Sequence, residues 1–190
     1  MQNQETRELT INELIDIIVR EDDDFTDAKF KTKVDNMYIQ IFTAIMKQDL
    51  MRIKHFVSEE LFEKLENKVK KLQEANLIQI YGELNVTNTK ILKIIEYEDK
   101  FEIQVDLYTK YLDYKIDKNT KKLVSGDCET RVEEHKKITL TKIKNAKDLG
   151  VARKCDSCGA NIDINFNGKC QFCGSIFNLQ KYDWIIRDIS

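Results

Sequence analysis

The sequence contains no proline, only two histidines and only six glycines among its 190 residues. The absence of proline excludes polyproline linkers and proline-rich ligand motifs. The scattered glycines form no phosphate-binding loop, and neither His55 nor His135 lies in a recognisable catalytic motif. No run reaches the roughly 18 apolar residues that a membrane-spanning helix needs. We therefore assign no catalytic residues and expect a protein that is not an enzyme.

The overall composition is that of a folded, water-soluble chain. Hydrophobic residues make up 42% and charged residues 34%, which excludes a disordered tail of low hydrophobicity. The net charge of −2 argues against a nucleic-acid-binding protein, which usually carries a basic excess. The first ten residues do not resemble a signal peptide. We expect a cytoplasmic location, where stable disulfides are rare.

Charge is distributed unevenly along the chain. Residues 1–30 hold nine acidic and three basic side chains, whereas residues 109–154 hold seven acidic and thirteen basic ones. Such runs are typical of solvated faces that attract each other within the fold. The alternative is that the basic region docks an acidic partner or membrane headgroups.

The first third of the chain has helical periodicity. Thr10 and Glu13 form a capping box, with Leu9 and Leu14 at the hydrophobic-staple positions, and predict a short helix through about Arg20. A second helix is predicted from near Thr26. After a helical turn or two over residues 51–56, a third helix is predicted from Ser58. The apolar positions of these two helices are Phe30, Val34, Met37, Tyr38, Ile41, Phe42, Ile45, Leu61, Phe62, Leu65, Val69 and Leu72.

From Leu77 the apolar period changes to two, which predicts strands near residues 77–86, 91–97, 101–116, 121–126 and 130–143. In the third of these, the apolar residues Phe101, Ile103, Val105 and Leu107 lie at odd positions, whereas Leu112, Tyr114 and Ile116 lie at even positions. This change of parity predicts a β-bulge near Thr109–Tyr111. Helices followed by strands predict an α+β fold with an antiparallel sheet, which the bulge would bend.

Four of the five cysteines form two Cys-x-x-Cys pairs, each followed by glycine. Cys155 and Cys158 are separated by eleven residues from Cys170 and Cys173. Two such pairs complete a tetrahedral shell of four thiolates, and we predict one structural Zn²⁺ ion there. A rubredoxin-like iron site has similar spacing and remains an alternative. A hairpin is expected between the pairs, with alternating Ile162, Ile164 and Phe166 and a turn at Asn167-Gly168.

These patterns divide the chain into an N-terminal helical extension (1–22), an α+β domain (23–147), a linker (148–154) and a zinc ribbon (155–190). In the ribbon, Tyr182, Trp184 and Ile186 are expected to form a last strand that covers the metal site. Cys128 is left over, and we expect it to be a structural or exposed thiol. Tyr111, with the tyrosines at 108 and 114, is expected to serve packing rather than to line a cavity.

Three stretches carry a family resemblance: residues 30–62, which end in Ser58-Glu59-Glu60-Leu61-Phe62; residues 105–117, with Tyr111 and Tyr114; and the tail CDSCG…GKCQFCG…DWIIRDI. Together they resemble bacterial cytosolic proteins that carry a Tim44-like domain and end in a zinc ribbon. The resemblance implies a fold similar to nuclear transport factor two, in which a bent antiparallel sheet wraps around helices and leaves a conical pocket. It also implies a transport-associated role and brings no catalytic residues.

The leading hypothesis is a non-enzymatic adaptor. Its α+β domain would bind a protein partner, in the cytoplasm or at a membrane surface, and its ribbon would make a second contact. The alternative is a small-molecule-binding protein or enzyme that uses the pocket, with Asp106 or Tyr108 as polar lining. Nucleic-acid binding through the ribbon is disfavoured, because residues 155–190 carry no basic excess.

Overall fold

The computed structural model describes residues 6–18, 25–144, 153–155, 157–162, 170–175 and 183–190. These ranges contain three α-helices, one short 3₁₀ helix at Leu50–Arg52 and seven strands. The helices are α1 (Ile11–Ile18), α2 (Asp27–Lys47) and α3 (Glu59–Glu74). The strands are β1 (Arg7–Leu9), β2 (Leu77–Glu96), β3 (Lys100–Asp117), β4 (Leu123–Ile143), β5 (Arg153–Lys154), β6 (Asn161–Ile162) and β7 (Ile185–Ile189).

The main sheet is antiparallel and has the strand order β1-β2-β3-β4-β7. The predicted α+β class is therefore confirmed. The strands are longer than predicted: the two strands predicted at 77–86 and 91–97 form the single strand β2, which ends at Glu96, and those predicted at 121–126 and 130–143 form the single strand β4, which begins at Leu123. The polar residues that separate the predicted strands lie at β-bulges, where an extra residue shifts the register but the pairing of the strands continues.

The core lies between the helices and one face of the sheet, which we call the inner face. On β3, Phe101, Ile103, Val105 and Leu107 point into this core and are almost inaccessible to solvent. The predicted apolar positions of α2 and α3 are all buried against them. Thr26 and Ser58 cap these helices, and each side chain accepts a backbone hydrogen bond from the first turn.

Strand β3 itself contains no bulge, so the bulge predicted near Thr109–Tyr111 is wrong. Next to residues 110–113 of β3, the extra residues lie in the neighbouring strands, in β2 between Gly82 and Asn85 and in β4 between Asp127 and Arg131. Thr109 and Tyr111 continue the inner-face parity of β3 and are buried. The change of parity in the sequence has another cause: beyond Tyr111, apolar side chains occupy the opposite, outer face of the sheet.

The described N-terminal residues belong to the α+β domain and do not form a separate extension. The capping box is confirmed, because the Thr10 amide donates to Glu13 Oε2 at 2.8 Å and the Glu13 amide donates to Thr10 Oγ1 at 3.3 Å. Strand β1 pairs with β2. Leu9, Leu14 and Ile18 are buried in the main core.

The C-terminal strand β7 is likewise part of the main sheet. It pairs with β4, and on its other side the Ile186 amide donates to the Phe56 carbonyl at 2.9 Å. Trp184 is 2% exposed and packs edge-on against Phe30 with ring centroids 5.3 Å apart. The expectation that this strand covers the metal site is therefore wrong, because its large apolar side chains are buried in the main core. Tyr182 lies outside the described residues.

Because Trp184 fills space between α2 and the sheet, we expect Trp184→Ala to lower the free energy of unfolding by about 3–5 kcal/mol. Urea unfolding followed by circular dichroism measures the change. Phe172→Ala is the control, because Phe172 is 66% exposed and its loss should cost less than about 0.5 kcal/mol. Equal effects of the two substitutions would contradict the placement of Trp184.

Candidate metal centre

The two Cys-x-x-Cys segments form turns with the same backbone hydrogen bonds. In the first, the Gly159 amide donates to the Cys155 carbonyl at 2.8 Å. In the second, the Gly174 amide donates to the Cys170 carbonyl at 2.9 Å. The two glycines have φ of 71° and 72°, in the left-handed region, as expected for a glycine that follows a metal-binding pair. We call the two segments, residues 155–160 and 170–175, the first and second knuckle.

The knuckles bring all four predicted ligands together. The four Sγ atoms lie within 4.8 Å of one another. Two of the contacts link the two knuckles: Cys155 Sγ lies 3.6 Å from Cys173 Sγ, and Cys158 Sγ lies 3.7 Å from Cys170 Sγ. A tetrahedron with metal–sulfur bonds of about 2.3 Å has edges of about 3.8 Å. The four cysteines therefore fit a single tetrahedral metal ion.

Around the knuckles the structure describes residues 153–155, 157–162 and 170–175. Strands β5 and β6 pair antiparallel and enclose the first knuckle. The turn predicted at Asn167-Gly168, together with Ile164 and Phe166, lies outside the described residues, as does most of the linker 148–154.

Ser175 is a site residue that the sequence reasoning missed. Its Oγ lies 3.1 Å from Cys155 Sγ and 3.0 Å from Cys173 Sγ. The hydroxyl lowers the pKa of the Cys155 thiol to about 6 and also lowers the pKa of Cys173, because a hydrogen bond to sulfur favours the thiolate. Thiolates are the ligand form. Ala160 occupies the equivalent position of the first knuckle and has no hydroxyl. The sequence feature that could have predicted the role of Ser175 is a hydroxyl residue directly after Cys-x-x-Cys-Gly.

The second knuckle exposes an aromatic side chain between its two ligand positions. Cys155 and Cys170 are buried, whereas Cys158 and Cys173 are exposed. Phe172 is 66% exposed, more than any other large hydrophobic residue in the described ranges. Residues 170–175 include no Asp, Glu, Lys or Arg, in a chain of which 34% is charged, whereas the first knuckle includes Asp156.

Cys128 lies apart from this centre, in the bulge of β4. It is exposed, as expected, and makes no disulfide among the described cysteines. The neighbouring Asp127 carboxylate accepts from the amides of Glu129 and Thr130 at 2.8 and 2.9 Å. The bulge is therefore a hydrogen-bonded turn that leaves the Cys128 side chain exposed.

Aromatic rings fill the space between α2 and the inner face where a pocket was implied. Phe42 lies 4.5 Å from Tyr81 and 6.1 Å from Tyr111, between ring centroids. The Tyr111 hydroxyl donates to Glu134 Oε2 at 2.5 Å. Tyr111 therefore serves packing, as predicted.

Asp106 and Tyr108 do not line a pocket in the core. They alternate with the buried inner-face residues of β3 and therefore lie on the outer face. There the Tyr108 ring lies 4.0 Å from the His135 ring, between centroids. The expectation that they supply polar lining is wrong.

A groove of about 360 Å³ lies along α2. Its walls include Met37, Phe56 and Trp184, which are buried, together with His55 and polar side chains of α2. Burial lowers the pKa of His55, so its imidazole is neutral at pH 7. No periodic pattern predicts this groove, because its walls come from three separate segments.

No described helix combines the length and the hydrophobicity needed to cross a membrane.

Comparison with known proteins identifies the family. A search of curated proteins found no match. Residues 11–150 match the Tim44-like domain, a stretch that begins with α1 and continues past the end of β4. Because this match covers most of the chain, the protein belongs to the Tim44-like domain family, whose fold is similar to that of nuclear transport factor two.

Proposed function

We propose that the protein is a non-enzymatic, transport-associated adaptor that makes two contacts. The α+β domain binds a protein partner, in the cytoplasm or at a membrane surface, and the cysteine-rich unit makes a second contact. Family membership supports the transport association. The observation that carries the second contact is the exposed Phe172 on a knuckle that contains no Asp, Glu, Lys or Arg.

Phe172 has the properties of a contact residue. Aromatic side chains are enriched at the centres of protein interfaces, and charged ones are depleted there. Phe172 lies between two metal-ligand positions, so a bound ion would hold its backbone fixed and reduce the entropy lost on binding. The absence of basic side chains on the described knuckles disfavours nucleic acid as the ligand.

The metal we propose is one structural Zn²⁺ ion held by Cys155, Cys158, Cys170 and Cys173. The support is the donor set and the tetrahedral spacing of the sulfur atoms. So small a unit buries little apolar surface, and metal binding would supply much of its folding free energy. Metal analysis of purified protein should give one zinc per chain. Iron in its place would overturn the zinc assignment.

We expect Ser175→Ala to weaken zinc binding about tenfold or more, because residues that hydrogen-bond to ligands contribute a factor of 10–100 in affinity. Competition with a chelator of known affinity measures the change. Ala160→Ser is the matched control, because it adds a hydroxyl at the equivalent position of the first knuckle. Unchanged affinity in Ser175→Ala would show that the hydroxyl has no role in metal binding.

The adaptor proposal is tested by removing the second contact without disturbing the sheet. Truncation at residue 150 would also remove β7 and Trp184, so an internal deletion is required. Since Thr141 pairs with Ile185, residues 147–181 can be replaced by a short Gly/Ser linker. We expect this variant to fold and to bind partners of the full chain at least tenfold more weakly.

Partners are first isolated by affinity capture from the native cell, with soluble and membrane fractions analysed separately. Binding of each purified partner to the full chain and to the deletion variant is then compared. Phe172→Ser, which keeps all four cysteines, should reproduce most of the loss. If every partner binds the deletion variant with unchanged affinity, the cysteine-rich unit makes no second contact.

The groove along α2 favours a second candidate function, the binding of a small molecule. Its volume of about 360 Å³ lies within the range of ligand pockets. Trp184 lines the groove and is the single tryptophan of the chain, so its fluorescence reports occupancy. A metabolite that shifts both this emission and the melting temperature would support the second candidate. A flat response across a metabolite library counts against it.

A further inference from the structure

Positive charge is concentrated at the end of the α+β domain where α2 and α3 end. Three segments meet there: residues 45–48, residues 71–77 and residues 116–124, which include the β3–β4 turn. Together they hold five lysines and two acidic residues, in a chain whose net charge is −2. We call this surface the basic end. Its lysines are Lys47, Lys71, Lys118, Lys121 and Lys122.

Hydrogen bonds hold the three segments of the basic end together. At the end of α2, Gln48 Nε2 donates to the Leu77 carbonyl at 2.9 Å. After α3, the Lys118 amide donates to the Asn76 carbonyl at 2.9 Å. Asn76 Nδ2 in turn donates to Asp117 Oδ2 at 3.0 Å. The fold therefore fixes the backbone positions from which the lysines project.

The five lysines lack acidic partners within the described chain. Each of them is exposed, and none forms an ion pair with a described carboxylate. Asp117 is engaged in the turn, because its Oδ1 accepts from the amides of Asn119 and Thr120 at 2.9 and 2.7 Å. Glu74 is the other acidic residue of the three segments. The basic end therefore keeps a net positive charge.

The described part of the acidic N-terminal region lies at the opposite end of the sheet. Strand β1 pairs with residues 94–96 of β2, whereas the basic end surrounds Leu77, where β2 begins. Helix α2 separates the two ends, and its 21 residues span about 30 Å. Of the two interpretations of the uneven charge, this arrangement favours the one in which the basic region docks an acidic partner.

The composition of the basic end favours an acidic protein segment over nucleic acid or a lipid surface. Its cations are all lysines, whereas bidentate recognition of phosphates and bases favours arginine. The three segments contain no aromatic residue, although single strands stack on aromatic rings and interfacial membrane contacts use them as anchors. Leu123 and Val124 are 50% and 54% exposed. As neighbours on one strand they project to opposite faces, so they cannot enter a bilayer together.

We propose that the basic end docks an acidic segment of a partner protein, whose Asp and Glu carboxylates pair with the lysines. A single exposed ion pair contributes little, so several lysines from the helix ends and the hairpin turn must act together. This inference rests on the proposed adaptor function, since it names the surface through which the α+β domain binds its partner and the chemistry of that partner.

The experiment uses the full-length chain and a short fluorescein-labelled peptide of Asp, Glu and Leu, with fluorescence polarisation as the measure of affinity. Replacing Lys71, Lys118 and Lys122 together by glutamine should weaken binding about tenfold, because three exposed ion pairs are lost. This basic-end variant should fold, since exposed side chains contribute little to stability. Binding to the unmodified chain should also weaken as sodium chloride is raised, a measurement that needs no variant.

The matched control replaces three exposed lysines outside the basic end, Lys54, Lys90 and Lys137, by glutamine. It changes the net charge equally and should alter binding less than twofold. Equal weakening by the two triple variants, or binding that is insensitive to salt, overturns the proposal.

Other occupants of the basic end give different results. Tighter binding to phosphatidylcholine/phosphatidylserine vesicles or to duplex DNA than to the peptide, abolished in the basic-end variant, assigns this surface to lipid or nucleic acid and overturns the proposal. Self-association that the same variant abolishes assigns it to a second copy of the chain and also overturns it. Peptide binding should persist in the 147–181 deletion variant, so failure here is distinguishable from failure of the second contact.

Discussion

The strict alternation of β3 is the constraint on which the rest of the domain depends. This strand is paired on both sides along almost its whole length, and the extra residues of the sheet lie in its neighbours. A one-residue slip would exchange its two faces, moving Ile103 and Val105 out of the core. The bulges in β2 and β4 bend the sheet around the helices while the central register is kept. The inner face can therefore stay apolar up to Tyr111, while the outer face becomes apolar beyond it.

A second constraint is the position of β7. Its backbone is bonded to β4 on one side and to the segment before α3 on the other, and the Ser58 hydroxyl donates to the Arg187 carbonyl at 3.2 Å. Lys64 pairs with Asp188 at 2.9 Å. Because β4 and β7 are adjacent, the cysteine-rich unit lies in the connection between two paired strands. Its two ends are therefore fixed by the domain.

Much of this architecture could be predicted from local signals. The capping box at Thr10, the helix start at Ser58 and the four cysteines each depend on residues close in sequence, and all three were placed correctly. The location of β7 could not be predicted, because Trp184 next to a cysteine motif fits a ribbon as well as a distant core. The parity change at Leu112 predicts a bulge that β3 lacks, for a related reason: an inserted residue and an exchange of apolar faces leave the same pattern in one strand.

The stability of the domain and the state of the metal site should be nearly independent. The connection between β4 and β7 is roughly 40 residues long, and a metal that joined residues 155 and 173 would shorten the effective loop. Halving a loop contributes only about 0.6 kcal/mol to closing it, whereas the buried Trp184 side chain contributes several times more. Loss of the metal would therefore disorder the surface around Phe172 and leave β7 paired. In the proposed two-contact adaptor, loss of the metal would weaken the contact made by the cysteine-rich unit and leave the α+β domain folded, so the metal would control avidity rather than the fold.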